Sequence, residues 1–474
     1  MMRKKVDATA CATHRKRAKG AIGPWFEAEL EDLSHLARQL RVDFPQSVAF
    51  LRKWERRCAV LARQVPARTF TAEMVLDDLA TGLRKICLQI ANLHAISVYC
   101  SPPDHETPQT SEEHPLDFGY ERDIHPVELE KRAAASALSA RGWSARHLLF
   151  SSGQSALQAI LVVARRLVAS DKSCSLLHFG SYFETEELIT LLAGAGLFNP
   201  CQRQGARVEA RGADIVIYEP IHSTPEGQVK AIDQRQRLKN ACGLYAPKAI
   251  ICDSTLCRQR FGYRELLEDV LGLDPAPLVI VFRSGLKLDQ AGLELANVGI
   301  VTIFGKVAAK KDAAGAFATE LRQIRTLTGS GLRFEDINAL SVPWFLGPKS
   351  DGYADRVFAN NARVAEHVET RSGLVLSHPG RKDPEKVAPF SFLQMPGKRG
   401  AAYRQLEDII DDEARRRGIL LQRGGSFGFR GHRFQAIVPE RGSPFIRLAI
   451  GSRNDASRDK IIEMLNDFPW SKSD

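Results

Sequence analysis

Between residues 146 and 282 the sequence keeps one rhythm: a short apolar run, a few loop residues, then a helical stretch. The runs at 147–150, 175–179, 214–218, 249–252 and 278–282 read as buried strands, each bounded by turn-forming residues. Residues 156–167 and 185–193 read as helices between them. Strands that are apolar throughout and alternate with helices must bury both faces of their sheet. That predicts an α/β layer around a largely parallel sheet. Ligands of such sheets sit at the carboxyl ends of strands, so chemistry is expected in the residues just past each one. After about residue 355 the pattern becomes helices with short strands, ending at 445–450, which predicts a smaller C-terminal α+β domain.

Three strand ends carry residues of interest. The first runs Ser151-Ser152-Gly153-Gln154-Ser155-Ala156 into a helix. Small residues entering a helix N-terminus present free backbone N–H groups to an anion, although a plain capped helix start reads the same way. It is neither a Walker loop nor a dinucleotide fingerprint, since the lysine and the further glycines are missing. The strand at 249–252 ends in Asp253-Ser254-Thr255, where a carboxylate can hold a cationic ring nitrogen or simply cap a helix. The strand at 278–282 ends in Arg283-Ser284-Gly285-Leu286-Lys287. A lysine just past an apolar strand can be desolvated, which lowers its pKa and makes it nucleophilic; alone it would more often face solvent. Together they supply what pyridoxal phosphate requires, in order: an anchored phosphate, an acid at the pyridine nitrogen and a lysine for the aldehyde.

The chain thereby resembles fold-type I pyridoxal-phosphate enzymes, and among them the Cys/Met-metabolism family of cystathionine synthases and lyases. Tyr120-Glu121-Arg122 with Pro126 and Leu129-Glu130 is similar to that family's Tyr-x-Arg…Asn-Pro…Leu-Glu opening. Ser151 to Ala156 is similar to its Ser-Ser-Gly-Met-x-Ala cradle, and Tyr182 with Thr185 to its Tyr-Gly-Gly-Thr. Glu219 with Pro225, and Arg356 with Asn361 and Ala362, resemble two further segments. Ile446-Arg447-Leu448-Ala449-Ile450-Gly451 is close to its Ile-Arg-Leu-Ser-Val-Gly strand. The resemblance covers about residues 115–470. It implies a large domain with a mainly parallel seven-stranded sheet, a smaller C-terminal domain and pyridoxal 5'-phosphate as cofactor. It assigns Lys287 as the Schiff-base lysine, Asp253 to the pyridine nitrogen, and Gly153, Gln154 and Ser284 to the phosphate. Tyr182 would stack on the ring and serve catalysis, and Arg447 would grip the substrate α-carboxylate. Tyr120 and Arg122 would reach the phosphate of a neighbouring subunit, which implies a homodimer or homotetramer with shared sites. The substrate class implied is an amino acid, and the reaction β/γ-elimination or γ-replacement through a vinylglycine-type intermediate.

The departures mark a divergent member with an altered pocket, as in specialised metabolism. Leu286 stands where the family has Thr, His125 where Asn precedes Pro, and the Asn expected near His222-Ser223-Thr224 is absent. Residues 424–434 (GGSFGFRGHRF) resemble instead the glycine-rich late loop of aminotransferases. Transamination is therefore an alternative, opposed by the absence of a basic residue in LDQAGLELANVG after Lys287. A catalytically degenerate binding or regulatory protein is another; retention of Lys287, Asp253 and Arg447 together opposes it.

Ahead of this region, residues 24–100 read as a helical extension. Phe26, Leu30, Leu33, Leu36 and Leu40 share one face, Pro45 ends that helix, a second run holds Trp54, Val60 and Leu61, and a third holds Leu76, Leu79, Leu83, Ile86, Ile90 and Leu93. Residues 101–115 have linker composition, 116–345 form the cofactor-binding domain and 346–474 the small domain. The first 23 residues form a basic, flexible tail, with seven Lys or Arg in the first twenty against one acid; the whole chain carries +10. A solvated terminus is the expectation for it, rather than a nucleic-acid arm. Nine scattered cysteines with no metal spacing, and no apolar run long enough to span a bilayer, suggest a reduced, cytoplasmic protein without a membrane partner.

Overall fold

The computed structural model describes residues 23–467 except 67, 104, 138, 168–172, 201–202, 205–206, 209–212, 226–233, 258–262, 308–311, 370–372, 382–386, 440–441 and 455. The basic tail expected at the N-terminus lies, up to residue 22, outside the described residues.

The extension forms three helices: α1 (Gly23–Asp43), α2 (Val48–Leu61) and α3 (Thr69–Ala95). Pro45 lies in the short 3-10 turn that separates α1 from α2. Phe26, Leu30, Leu33, Leu36 and Leu40 are all buried, as their spacing predicts. Two residues depart from the expected stripes: Val60 is 55% exposed and Leu93 49%. At 100° per residue Val60 lies about 120° around its helix from the buried Trp54, and Leu93 about 80° from the buried Leu83. On α3 the place after Leu83 is taken by Cys87 and Ile90. The Trp54 indole N–H donates to the Leu79 carbonyl at 2.8 Å and ties α2 to α3. These helices do not form a core of their own. One cluster of buried residues runs from Phe26 and Leu79 through Leu288, Leu293 and Tyr353 to Phe392 and Phe427, joining the extension to both following domains.

The large sheet has seven strands: β1 (Trp143–Phe150), β2 (Ser175–Phe179), β3 (Asn199–Pro200), β4 (Ile215–Tyr218), β5 (Ala249–Asp253), β6 (Leu278–Ser284) and β7 (Gly299–Lys306). Their order is β3-β2-β4-β5-β6-β7-β1. All neighbours pair parallel except at β7, which runs antiparallel to both β6 and β1. The other six therefore end on the same side. Strand β7 and the two-residue β3 are not among the runs read from sequence. Helices α4 (Gly153–Arg166) and α5 (Phe183–Gly194) follow β1 and β2 directly. Buried strand residues pack on both sheet faces, which explains runs without polar alternation.

The C-terminal domain has a five-stranded sheet: β8 (Val375–Ser377), β9 (Ser391–Gln394), β10 (Leu421–Arg423), β11 (His432–Ile437) and β12 (Phe445–Ala449), in the order β8-β9-β12-β11-β10. Helices α6 (Pro348–His367), α7 (Gly400–Arg416) and α8 (Ala456–Asp467) accompany it. Among the described residues no helix is long and apolar enough to cross a membrane, and no group of three or more His, Cys, Asp or Glu could hold a metal ion.

Candidate active site

The parallel strands deliver their carboxyl ends to one cavity of about 630 Å³. Gly153 and Gln154 reach it from β1, Tyr182 from β2, Glu219 from β4, Asp253 from β5, and Ser284 and Lys287 from β6; Arg447 enters from the second sheet. Seven of the nine site residues expected from sequence thus meet in one place.

Helix α4 opens with a reciprocal cap. The Ser152 hydroxyl accepts from the Ser155 N–H at 3.0 Å, and the Ser155 hydroxyl from the Ser152 N–H at 2.9 Å. That cap uses the third N–H of the helix and leaves those of Gly153 and Gln154, the first two, for an anion. A Cβ on Gly153 would stand 3.4 Å from the Ser284 side chain, so the α4 start and the β6 end form one cradle. Thr255 completes it: its hydroxyl accepts from the Ser284 N–H at 3.0 Å, and its own N–H donates to Asp253 at 2.8 Å.

Asp253 has its carboxyl raised to about 7, first by burial and next by the Glu219 charge. Glu219 would rise through burial as well, but the His178 hydrogen bond and charge and the Ser181 N–H outweigh that and hold it below the usual range. It accepts from His178 at 3.1 Å, Ser181 N–H at 2.8 Å and Tyr182 N–H at 3.2 Å, and so fixes the turn that carries Tyr182. The Tyr182 phenol is pushed well up by burial and by a hydrogen bond to Glu184.

Burial lowers the Lys287 amine and Arg447 adds to the lowering, while Glu294 opposes it. Its Nζ donates to the Ser426 hydroxyl at 2.5 Å and lies 5.9 Å from the Phe427 ring centre. Arg447 sits opposite Gln435 on the neighbouring strand and donates to its Oε1 at 3.0 Å. Gly428 has φ of +79°, and a Cβ there would stand 2.0 Å from the Lys287 carbonyl oxygen. Gly428→Ala should therefore lower both melting temperature and activity, with backbone strain alone costing about 1–3 kcal/mol. Gly418, at φ +64° with open space around it, is the control. Gly418→Ala should shift melting and leave activity alone.

Two expected residues are not brought in. Tyr120 is 46% exposed, Arg122 stacks over its ring at 5.1 Å, and neither lines the cavity of its own chain. Sequence reasoning missed Ser426, Gln435, Thr255, His178 and Glu184. Glu184, Ser426 and Thr255 left signals: Phe183-Glu184 stands where the resembled family has Gly-Gly, Ser426 lies in the glycine-rich loop 424–434, and Thr255 stands two residues past Asp253 at a strand end.

No family model matches the sequence, and no curated protein does. Solved structures do match its fold. Cystathionine γ-synthase from Xanthomonas oryzae pv. oryzae, in complex with cystathionine, is 14% identical, with a TM-score of 0.53 over 80% of this chain and 97% of that one. Cystathionine γ-lyase from Lactobacillus plantarum, complexed with L-serine, is 15% identical, with a TM-score of 0.51 over 78% and 92%. The chain thus shares the fold of these structures, which are fold-type I pyridoxal-phosphate enzymes. The likeness to the cystathionine γ-synthase and γ-lyase structures is one of fold, at 14% and 15% identity.

Proposed function

We propose that the protein is a pyridoxal-phosphate enzyme that performs β/γ-elimination or γ-replacement on an amino acid. The observation that carries this reading is the convergence of Lys287, Asp253, Arg447 and the α4 start on one cavity. The donors suit the cofactor. A carboxyl raised to about 7 by burial is a site for a cationic ring nitrogen, which would restore its ordinary acidity. The free N–H groups at Gly153 and Gln154, beside Ser284, are a site for a phosphate. When bound, pyridoxal phosphate supplies an electron sink for the bond broken at Cα.

The chain's own residues do the rest. Arg447, which donates to Gln435 at 3.0 Å, holds the substrate carboxylate through a bidentate fork. Lys287, its amine lowered by burial, is the residue that would hold the cofactor and would move the Cα proton. Tyr182, held protonated, can donate a hydrogen bond and does not serve as a base. Phe390, Ile221, Leu256, Ile437 and Val438 make much of the remaining wall apolar. Besides Lys287, Arg447 is the one cation among the described lining residues, so a substrate with a second carboxylate lacks an anchor.

Homoserine- or methionine-derived amino acids offered in heavy water should gain deuterium at both Cα and Cβ and release a keto acid with ammonia. Exchange confined to Cα, with transfer of the amino group to an added keto acid, would establish the second reading, transamination. That reading is favoured by the glycine-rich loop that places Ser426 on Lys287.

The exposure of Tyr120 and Arg122 supports a site completed by a second copy of the chain. Mixed oligomers of Lys287→Ala and Arg122→Ala chains, each inactive alone, should recover part of the activity. A lack of recovery in verified mixed oligomers would place the whole site within one chain.

A further inference from the structure

Several side chains that do not line the cavity converge on the segment just after Lys287. Arg430 is 3% exposed. Its Nε donates to Glu29 at 2.6 Å, one Nη pairs with Asp32, and the other donates to the Ala291 carbonyl at 3.0 Å. Burial would lower the guanidinium pKa, but Glu29 and Asp32 outweigh it and raise it. Glu29 and Asp32 belong to α1. Helix α3 adds Arg84, whose Nε donates to the Glu294 carbonyl at 3.1 Å. Those two carbonyls bracket a left-handed stretch: Ala291 at φ +49°, Gly292 at +73° and Glu294 at +46°. Non-glycine residues hold such angles only where their surroundings over-determine them. The packing there leaves no slack, since a Cβ on Gly292 would stand 2.4 Å from the Tyr353 hydroxyl and 2.8 Å from Arg430 Cγ. Tyr353 in turn donates to the Gly428 carbonyl at 2.6 Å. Arg430 thus belongs to the same short loop as Ser426, the partner of the Lys287 amine, and as Gly428, which packs on the Lys287 backbone.

We propose that the N-terminal extension is a strut for the catalytic lysine: Glu29 and Asp32, acting through Arg430, and Arg84 directly, are positioning residues that hold the 287–294 turn and the Ser426 loop in register. This rests on Lys287 being the catalytic lysine. None of the four touches the cavity; each acts through backbone that carries a group which does. A buried guanidinium stripped of its carboxylates can no longer hold Ala291, and the left-handed turn then relaxes.

The test uses the full chain without added cofactor, so a failure of cofactor binding cannot mask the result. Amide hydrogen exchange is followed in Glu29→Gln/Asp32→Asn, in Arg84→Ala and in a control, Asp78→Asn, which breaks the exposed 3.2 Å pair with Arg57 within the extension. The first two variants should speed exchange at residues 286–296 and 424–431 by about tenfold or more, because local openings are governed by the contacts that hold each segment. The control should not. In parallel, the pH at which Lys287 becomes acylated by an activated ester should move up toward that of an ordinary lysine in both variants. Faster exchange confined to α1 or α3, with 286–296 unchanged, would overturn the proposal, as would an equal effect from the control. If the double variant does not fold, Arg84→Ala decides alone.

Discussion

Lys287→Ala should fold and lose both covalent cofactor attachment and turnover. The substitution removes a side chain that reaches the cavity from the end of β6 and rests on Ser426 and near Phe427. The cluster that continues through Leu288 and Leu293 does not include it, so the melting temperature should change little. On the role proposed for Lys287, losing the group that moves the Cα proton costs roughly 10²–10⁴-fold in rate on that ground alone. Losing the covalent link to the cofactor adds to this. Borohydride treatment of the wild-type protein with pyridoxal phosphate, followed by peptide mapping, should leave the reduced cofactor on Lys287. The same treatment of Lys287→Ala should leave none. Reduced cofactor on another lysine would remove Lys287 from its role.

Asp253→Asn should separate stability from function. In the unliganded chain the carboxyl is raised from 3.8 to about 7, so between those values the folded state keeps a proton that the unfolded state has lost. Stability then falls as pH rises from about 4 to about 7 and is flat above, because the unfolded state binds fewer protons across that window. The contribution lost is on the order of 4 kcal/mol. Asn carries no such proton. The variant should therefore melt with less pH dependence than wild type, and above pH 7 it should be the more stable protein without cofactor. It should also hold pyridoxal phosphate more weakly and turn over slowly, since an amide cannot keep the ring nitrogen charged. Calorimetry across pH 4–8 with and without cofactor checks both halves. An unchanged pH dependence would show that Asp253 is ionised in the unliganded cavity.

Much of the site was legible because the fold is built on parallel strands. Once 147–150, 249–252 and 278–282 are read as strands with a common direction, Gly153, Asp253 and Lys287 must emerge on one side of the sheet. The periodicity of α1 likewise predicted its buried face, residue by residue. Sequence by itself therefore determined the layer architecture, the end of the sheet that carries the site and the chain's own candidates for phosphate, ring nitrogen and aldehyde. The antiparallel β7 was not foreseen, although it is nearly as apolar as its neighbours, because no run marks strand direction.

What only the tertiary structure decided is who touches those candidates. Ser426 lies 139 positions from Lys287, and Glu29 lies 401 positions from Arg430. Neither pair shares a period, a turn or a spacing that one element could report. Local pattern records which face of a helix or strand is apolar. It holds nothing about which distant polar group will satisfy a buried charge. That choice is made when three domains close around one continuous core, and here it joins a helical extension to the lysine at the end of β6.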